Sequence, residues 1–181
     1  MTLADMKGSG RTQLAVIIAA VAIGFIVELL PDSVFFPLFC YLPGRLAAIY
    51  YNTPLYIPEL SFSAHGFLIV VTRSCGGSGF FALCGALLCV RAWQSVDSAT
   101  TSRRFKLALW FVGAVALSWG ITILVNAVRV ILIVPVTAAA MFVPESFRSG
   151  IHMAAGMAAF MGAFIILWIL TERQLPQKEL K

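Results

Sequence analysis

The chain has 181 residues, of which 60% are hydrophobic and 12% charged, with a mean hydropathy of +0.93 and a formal net charge of +5. The charged fraction is about half that of soluble domains, and a single domain of this size leaves roughly 30% of its unfolded surface wet. This excludes a soluble enzyme, a disordered tail and a secreted disulfide scaffold, and leaves an integral membrane protein.

A spanning helix needs about 20 mainly apolar residues. Residues 12–30 meet that length, with Glu28 as their one charge. The run is longer than a signal-peptide core, and Glu28-Leu29-Leu30-Pro31 is not a small-residue cleavage site, so a retained span is expected. Residues 31–72 are rich in proline (Pro31, Pro37, Pro43, Pro54, Pro58) and in Phe and Tyr. Prolines break helices and tyrosines suit headgroups, which predicts an outer loop with a short interfacial helix near Arg45 to Tyr51. Further spans are expected at 75–91, 107–128 and 151–170. Residues 130–143 are too short to cross comfortably and contain Pro135, which predicts a bent, re-entrant or interfacial segment.

The expected architecture is therefore all-α and polytopic, one membrane domain with about four spans. Four spans place both termini on one side. Nine of the thirteen basic residues fall there: Lys7, Arg11, Arg91, Arg103, Arg104, Lys106, Arg173, Lys178 and Lys181. The positive-inside rule makes that side cytoplasmic. Arg45, Arg73, Arg129 and Arg148 are left outside. Charge is thus mostly topology, and no basic, aromatic groove points to nucleic acid. Small residues at Gly113, Ala116 and Gly120, and at His152, Gly156 and Ala159, suit close helix approach.

Three side chains at the outer ends of these spans carry possible chemistry: Cys75, Arg129 and His152. Gly76 and Gly77 allow a sharp turn after Cys75, and a following helix start, with Arg73 nearby, favours an anion there. The alternatives are an inert packing cysteine or a disulfide with Cys40. Cys84 and Cys89, deep in the second span, are packing residues. Arg129 is costly near hydrocarbon and should be paired or functional, with Asn126 one turn earlier to orient it; a snorkelling anchor is the alternative. His152 suits general acid–base work near neutral pH, or a helix-start packing role. His65 is a weaker candidate. Arg73 has three open roles: tuning Cys75, binding a carboxylate or anchoring the loop. Glu28, Asp32 and Glu59 are available to pair with the arginines. No GxSxG, HExxH, CxxC or P-loop pattern occurs.

Thr72-Arg73-Ser74-Cys75-Gly76-Gly77-Ser78-Gly79-Phe80, then Asn126-Ala127-Val128-Arg129, then His152 at the start of the last span resemble the exosortase/archaeosortase family, most of all its small exosortase K branch. The resemblance covers roughly residues 62–169. It implies a bacterial inner-membrane cysteine protease or transpeptidase with no cofactor or metal. Its substrates would be exported proteins with a C-terminal sorting signal: a short motif, a hydrophobic helix and a basic cluster. It places Cys75 as nucleophile, with Arg129 and His152 as its partners and Gly76 and Gly77 in place of the family's usual Cys-Ser-Gly setting. This chain is shorter than typical members. The competing expectation is a non-enzymatic membrane scaffold or small carrier.

Overall fold

The computed structural model describes residues 3–95 and 103–173. Lys178 and Lys181 lie outside them, as do residues 96–102 of the polar stretch between the second and third expected spans. Eight regular elements follow in order: α1 (Leu3–Glu28), α2 (Asp32–Phe35), α3 (Tyr41–Tyr50), β1 (Ser61–Ala64), β2 (Phe67–Val70), α4 (Ser78–Ser95), α5 (Arg103–Ala140) and α6 (Glu145–Arg173). A π-helical turn at Phe36–Cys40 joins α2 to α3. The described residues are mostly helical, and three helices are long and apolar enough to cross a membrane: Asp32–Tyr50, Ala108–Ala140 and Glu145–Glu172. The apolar parts of α1 and α4, Ile17–Glu28 and Ser78–Trp93, are shorter.

The structure corrects three expectations. Residues 31–72 are not one loop: their first part is the helix Asp32–Tyr50 and their last part a two-stranded antiparallel hairpin, so the described fold is not purely α. Residues 130–143 are not a separate segment either. α5 runs unbroken for 38 residues through Pro135, and only the last three of the stretch leave it.

Proline misleads at these places because helix carbonyls beside it take donors from a distance. Pro135 has no N–H for the Ile131 carbonyl one turn back. Tyr51 Oη–H donates to that carbonyl instead, at 2.7 Å. Burial, and then the neighbouring Tyr50, push the Tyr51 phenol above its ordinary pKa, so it stays a donor. Pro43 likewise has no N–H for the Phe39 carbonyl one turn back, and beside it Trp119 Nε1–H of α5 donates to Leu38 O at 3.0 Å. Near each breaker an aromatic side chain from the neighbouring segment donates to a helix carbonyl.

α4 packs between α1 and α5, and α5 also carries α3 and α6. Gly24 lets α1 approach Ala82 of α4 so closely that a Cβ there would collide with it. The packed ridge of α5 is Ala114, Ser118, Thr122, Asn126, Val130 and Val134, all buried and spaced by four. Its hydroxyls bond within the helix, Ser118 Oγ to Val115 O at 2.9 Å and Thr122 Oγ1 to Ser118 O at 2.7 Å. Gly113, Ala116 and Gly120 do not form the expected close contact: added Cβ atoms at both glycines would meet nothing, and Ala116 is exposed.

The hairpin turns on two residues, His65 (φ 50°) and Gly66 (φ 81°), both left-handed as its tight turn requires. β1 rests on α3, with Phe62 and Ala64 in the core beside Phe35, Phe39 and Val71.

Tyr51→Phe should lower stability by about 1 kcal/mol, because it orphans the Ile131 carbonyl. In a Pro135→Ala background, where a backbone N–H returns, the same change should cost little. Unfolding midpoints of the four proteins in detergent give the cycle, and equal losses in both backgrounds would refute the compensation.

Candidate active site

Cys75 ends a single 3₁₀ turn, Arg73–Cys75, between the hairpin and α4. Cys75 N–H donates to Thr72 O at 2.9 Å, and Gly76 N–H to Arg73 O at 2.9 Å. Gly77 then adopts φ +67°, and its carbonyl accepts from Phe81 N–H at 2.9 Å, which starts α4. The thiol thus sits just before a helix N-terminus, half-buried and free. Thr72 Oγ1 is 3.7 Å from Cys75 Sγ. Cys40 Sγ donates to Thr72 O at 3.7 Å, so Thr72 stands between the two sulfurs, and both cysteines are free rather than bridged. Cys84 and Cys89 are buried in α4 as packing residues.

Three contacts fix this turn. The first is Arg73, which anchors the turn to the end of α1 and the start of α2. Its guanidinium donates to Leu30 O at 2.8 Å, to Glu28 O and to Asp32 Oδ1 at 2.5 Å. It also pairs with the Glu28 carboxylate at 3.7 Å and covers the Phe35 ring at 4.3 Å. Ser78 Oγ, at the start of α4, donates to the same Glu28 carboxylate. The second contact is steric: a Cβ on Gly76 would collide with the Phe35 ring. The third is Asn126, fully buried on the α5 ridge, whose Nδ2–H donates to Gly76 O at 2.7 Å. A Cβ on Gly77 would lie 2.9 Å from that amide nitrogen. Asn126 therefore positions the Cys75 turn.

Arg129 follows Asn126 by three residues, which puts both on neighbouring parts of one helix face. Its guanidinium lies against Gly156 of α6, where a Cβ would come within 2.7 Å of Nε. It also faces the Phe160 ring at 5.3 Å, and Phe160 stacks on Phe80 of α4 at 4.9 Å. This run of contacts ties α5, α6 and the start of α4 together at the level of Cys75. His152 is in α6, one turn before Gly156 on the same helix face. Beside Arg129 opens an apolar cavity of about 260 Å³ between α5 and α6, lined by Leu132, Val136, Ala155 and Ala159 among others.

The Cys75 turn thus meets α5 at Asn126, and Arg129, three residues on, meets α6 at Gly156, one turn after His152. His65 is not part of this arrangement. It lies at the far end of the hairpin, edge-on to Tyr51 with ring centroids 5.5 Å apart. Arg148 instead reaches carbonyls of the turn that follows α5, Val143 O at 3.2 Å and Met141 O at 3.5 Å. Thr72, Phe35 and Phe160 escape sequence reasoning. Only Thr72, three residues before Cys75, carries a local signal. Among the described residues no three His, Cys, Asp or Glu side chains gather as a metal site would need.

Gly77→Ala should destabilise the protein by about 1 kcal/mol or more, since it strains a left-handed residue and presses on Asn126. Gly79→Ala, two residues on in open space, should be neutral or slightly stabilising. Thermal unfolding of the two variants checks the contrast, and equal behaviour would refute the assigned joint.

Comparison of the chain with protein-family models, with curated proteins and with solved structures finds no match, so its function rests on this geometry.

Proposed function

We propose that the protein is a membrane-embedded cysteine protease or transpeptidase of the exosortase kind. It cleaves C-terminal sorting signals of exported proteins at the outer face of the bacterial cytoplasmic membrane. The observation that carries this reading is the joint at Asn126, where one hydrogen bond holds the Cys75 turn beside the helix face that bears Arg129. The proposed topology has four spans with both termini cytoplasmic, following the distribution of basic residues.

In the reaction Cys75 Sγ, as thiolate, attacks a backbone carbonyl carbon of the substrate. The carbonyl π electrons move to oxygen, and the Arg129 guanidinium balances that oxyanion. Collapse forms a thioester and breaks the C–N bond, with His152 donating the proton that the leaving amine needs. An incoming amine, or water, gives its proton back to His152 and attacks the thioester, which restores the thiolate. An amine yields transfer and water yields hydrolysis. The substrate's hydrophobic helix docks beside the bundle, where Gly113, Ala116 and Gly120 leave a smooth unpacked face on α5. Membrane lipids cover the remaining apolar surface.

Cys75→Ala and Cys75→Ser should abolish processing of a co-expressed reporter ending in motif, helix and basic cluster, with the variants still accumulating in the membrane. Normal processing by Cys75→Ala would sink the catalytic reading. Arg129→Lys should lower the rate by about tenfold or more, because a point charge does not replace a planar fork. Near-normal activity in that variant would reduce Arg129 to an anchor.

A further inference from the structure

The hairpin that leads into Cys75 is paired at Ser61 on its β1 edge and open along its β2 edge. Its register pairs Ser61 with Val70, Phe62 with Ile69, Ser63 with Leu68 and Ala64 with Phe67. Val71 N–H donates to Leu60 O at 3.0 Å, so the 60/71 pair is hydrogen-bonded. Hydrogen-bonded and open pairs alternate in an antiparallel ladder. Ile69 and Phe67 therefore bond to β1, while Leu68 and Val70 turn their N–H and C=O groups away from it. On the β1 side the outward groups of Ser61 are taken by Tyr56, at 2.8 and 3.1 Å. On the β2 side the sheet ends, and the side chains of Leu68 and Val70 are 65% and 48% exposed.

An open strand edge is a template for another extended chain. Its surroundings say which chain. The Val70 end runs through Val71 and Thr72 into the Cys75 turn. The other end, at His65, reaches a cavity of about 650 Å³ bounded by Tyr50, Tyr51, Asn52 and His65 and by Val134 and Pro135 of α5. Along α5, Pro135 lies nine residues past Asn126, roughly 14 Å at about 1.5 Å per residue. A four-residue strand covers about the same distance. The open edge therefore bridges the Cys75 turn and the cavity.

We infer that the substrate adds to β2 as a third strand, parallel to it, so that the residues upstream of the cleaved bond run from the His65 cavity to Cys75. The inference rests on the function proposed above and supplies its mode of recognition. The parallel direction follows from the substrate's own topology: its exported body lies outside and its hydrophobic helix enters the membrane beyond the cut. Main-chain bonds to Leu68 and Val70 hold the peptide irrespective of its sequence, and the Tyr-lined cavity receives a side chain about four residues upstream of the cut.

The test uses the full chain carrying Cys75→Ala, co-expressed with a reporter that ends in the motif, hydrophobic helix and basic cluster of an exported protein from the same genome. The photo-crosslinker benzoylphenylalanine is placed at position 68 or 70, and adducts are mapped by mass spectrometry. The expected adducts lie on two reporter residues two apart, upstream of the cut, with the partner of position 70 nearer to it. Adducts three or four residues apart, adducts only to a second copy of the chain, or no adducts would each overturn strand addition. With Cys75 present, Leu68→Pro and Val70→Pro remove one edge N–H each and leave the β1–β2 bonds intact, so processing should fall roughly tenfold. Processing that depends on Cys75 without these adducts would reject the third strand and keep the protease. Processing that ignores Cys75 would reject the protease itself.

Discussion

The placement of Cys75 depends on one guanidinium. Arg73 gathers the Glu28 and Leu30 carbonyls, the Asp32 and Glu28 carboxylates and the face of Phe35, and so fastens the end of α1, the start of α2 and the turn before α4 at one point. Individually such partly exposed ion pairs contribute little. Their number is what matters, because a guanidinium has five donors in a fixed plane and here most of them are directed. Leu29 and Leu30 N–H close the Phe25 and Val27 carbonyls, and Arg73 supplies donors to the next ones, Glu28 O and Leu30 O, much as a capping side chain does.

From that anchor the site is assembled by small residues rather than large ones. Gly76 admits Phe35, Gly77 admits Asn126, and Gly156 admits Arg129. Each removes a Cβ where a polar or aromatic group must come close. The α5 ridge works similarly. Ser118 and Thr122 satisfy themselves on their own helix and leave Asn126 as the one ridge side chain that reaches across to α4's leading turn. A polar group in that position serves to fix geometry, since a buried amide with a wrong neighbour is costly.

The start of α4 was legible in the sequence, because paired glycines followed by an apolar run are a local signal. So was the spacing of Asn126 and Arg129 on one helix face. The helix at Asp32–Tyr50 was hidden behind Pro37 and Pro43, since the side-chain donor that reaches its Leu38 carbonyl lies 81 residues away on Trp119. α5 was cut short at Pro135 for the same reason, its compensation coming from Tyr51. Arg73 stayed ambiguous because its acidic partners are 45 and 41 residues distant, Glu28 and Asp32, and pairing at that range is set by tertiary packing. The hairpin carried a signal in His65-Gly66 between alternating residues, but aromatic density around it pointed to an interfacial loop.

α5 has 38 residues, roughly 57 Å at about 1.5 Å per residue, against a hydrocarbon core of about 30 Å. Asn126 stands 23 residues above Arg103, or roughly 35 Å. In the proposed orientation the basic start of α5 marks the inner boundary, and the Cys75 turn then falls just beyond the outer one. α5 is in that sense a ruler. Under the proposed function it would set the height of the cut relative to the cytoplasmic charges, and a substrate held by its own basic cluster would be measured by the length of its apolar helix before its motif is read.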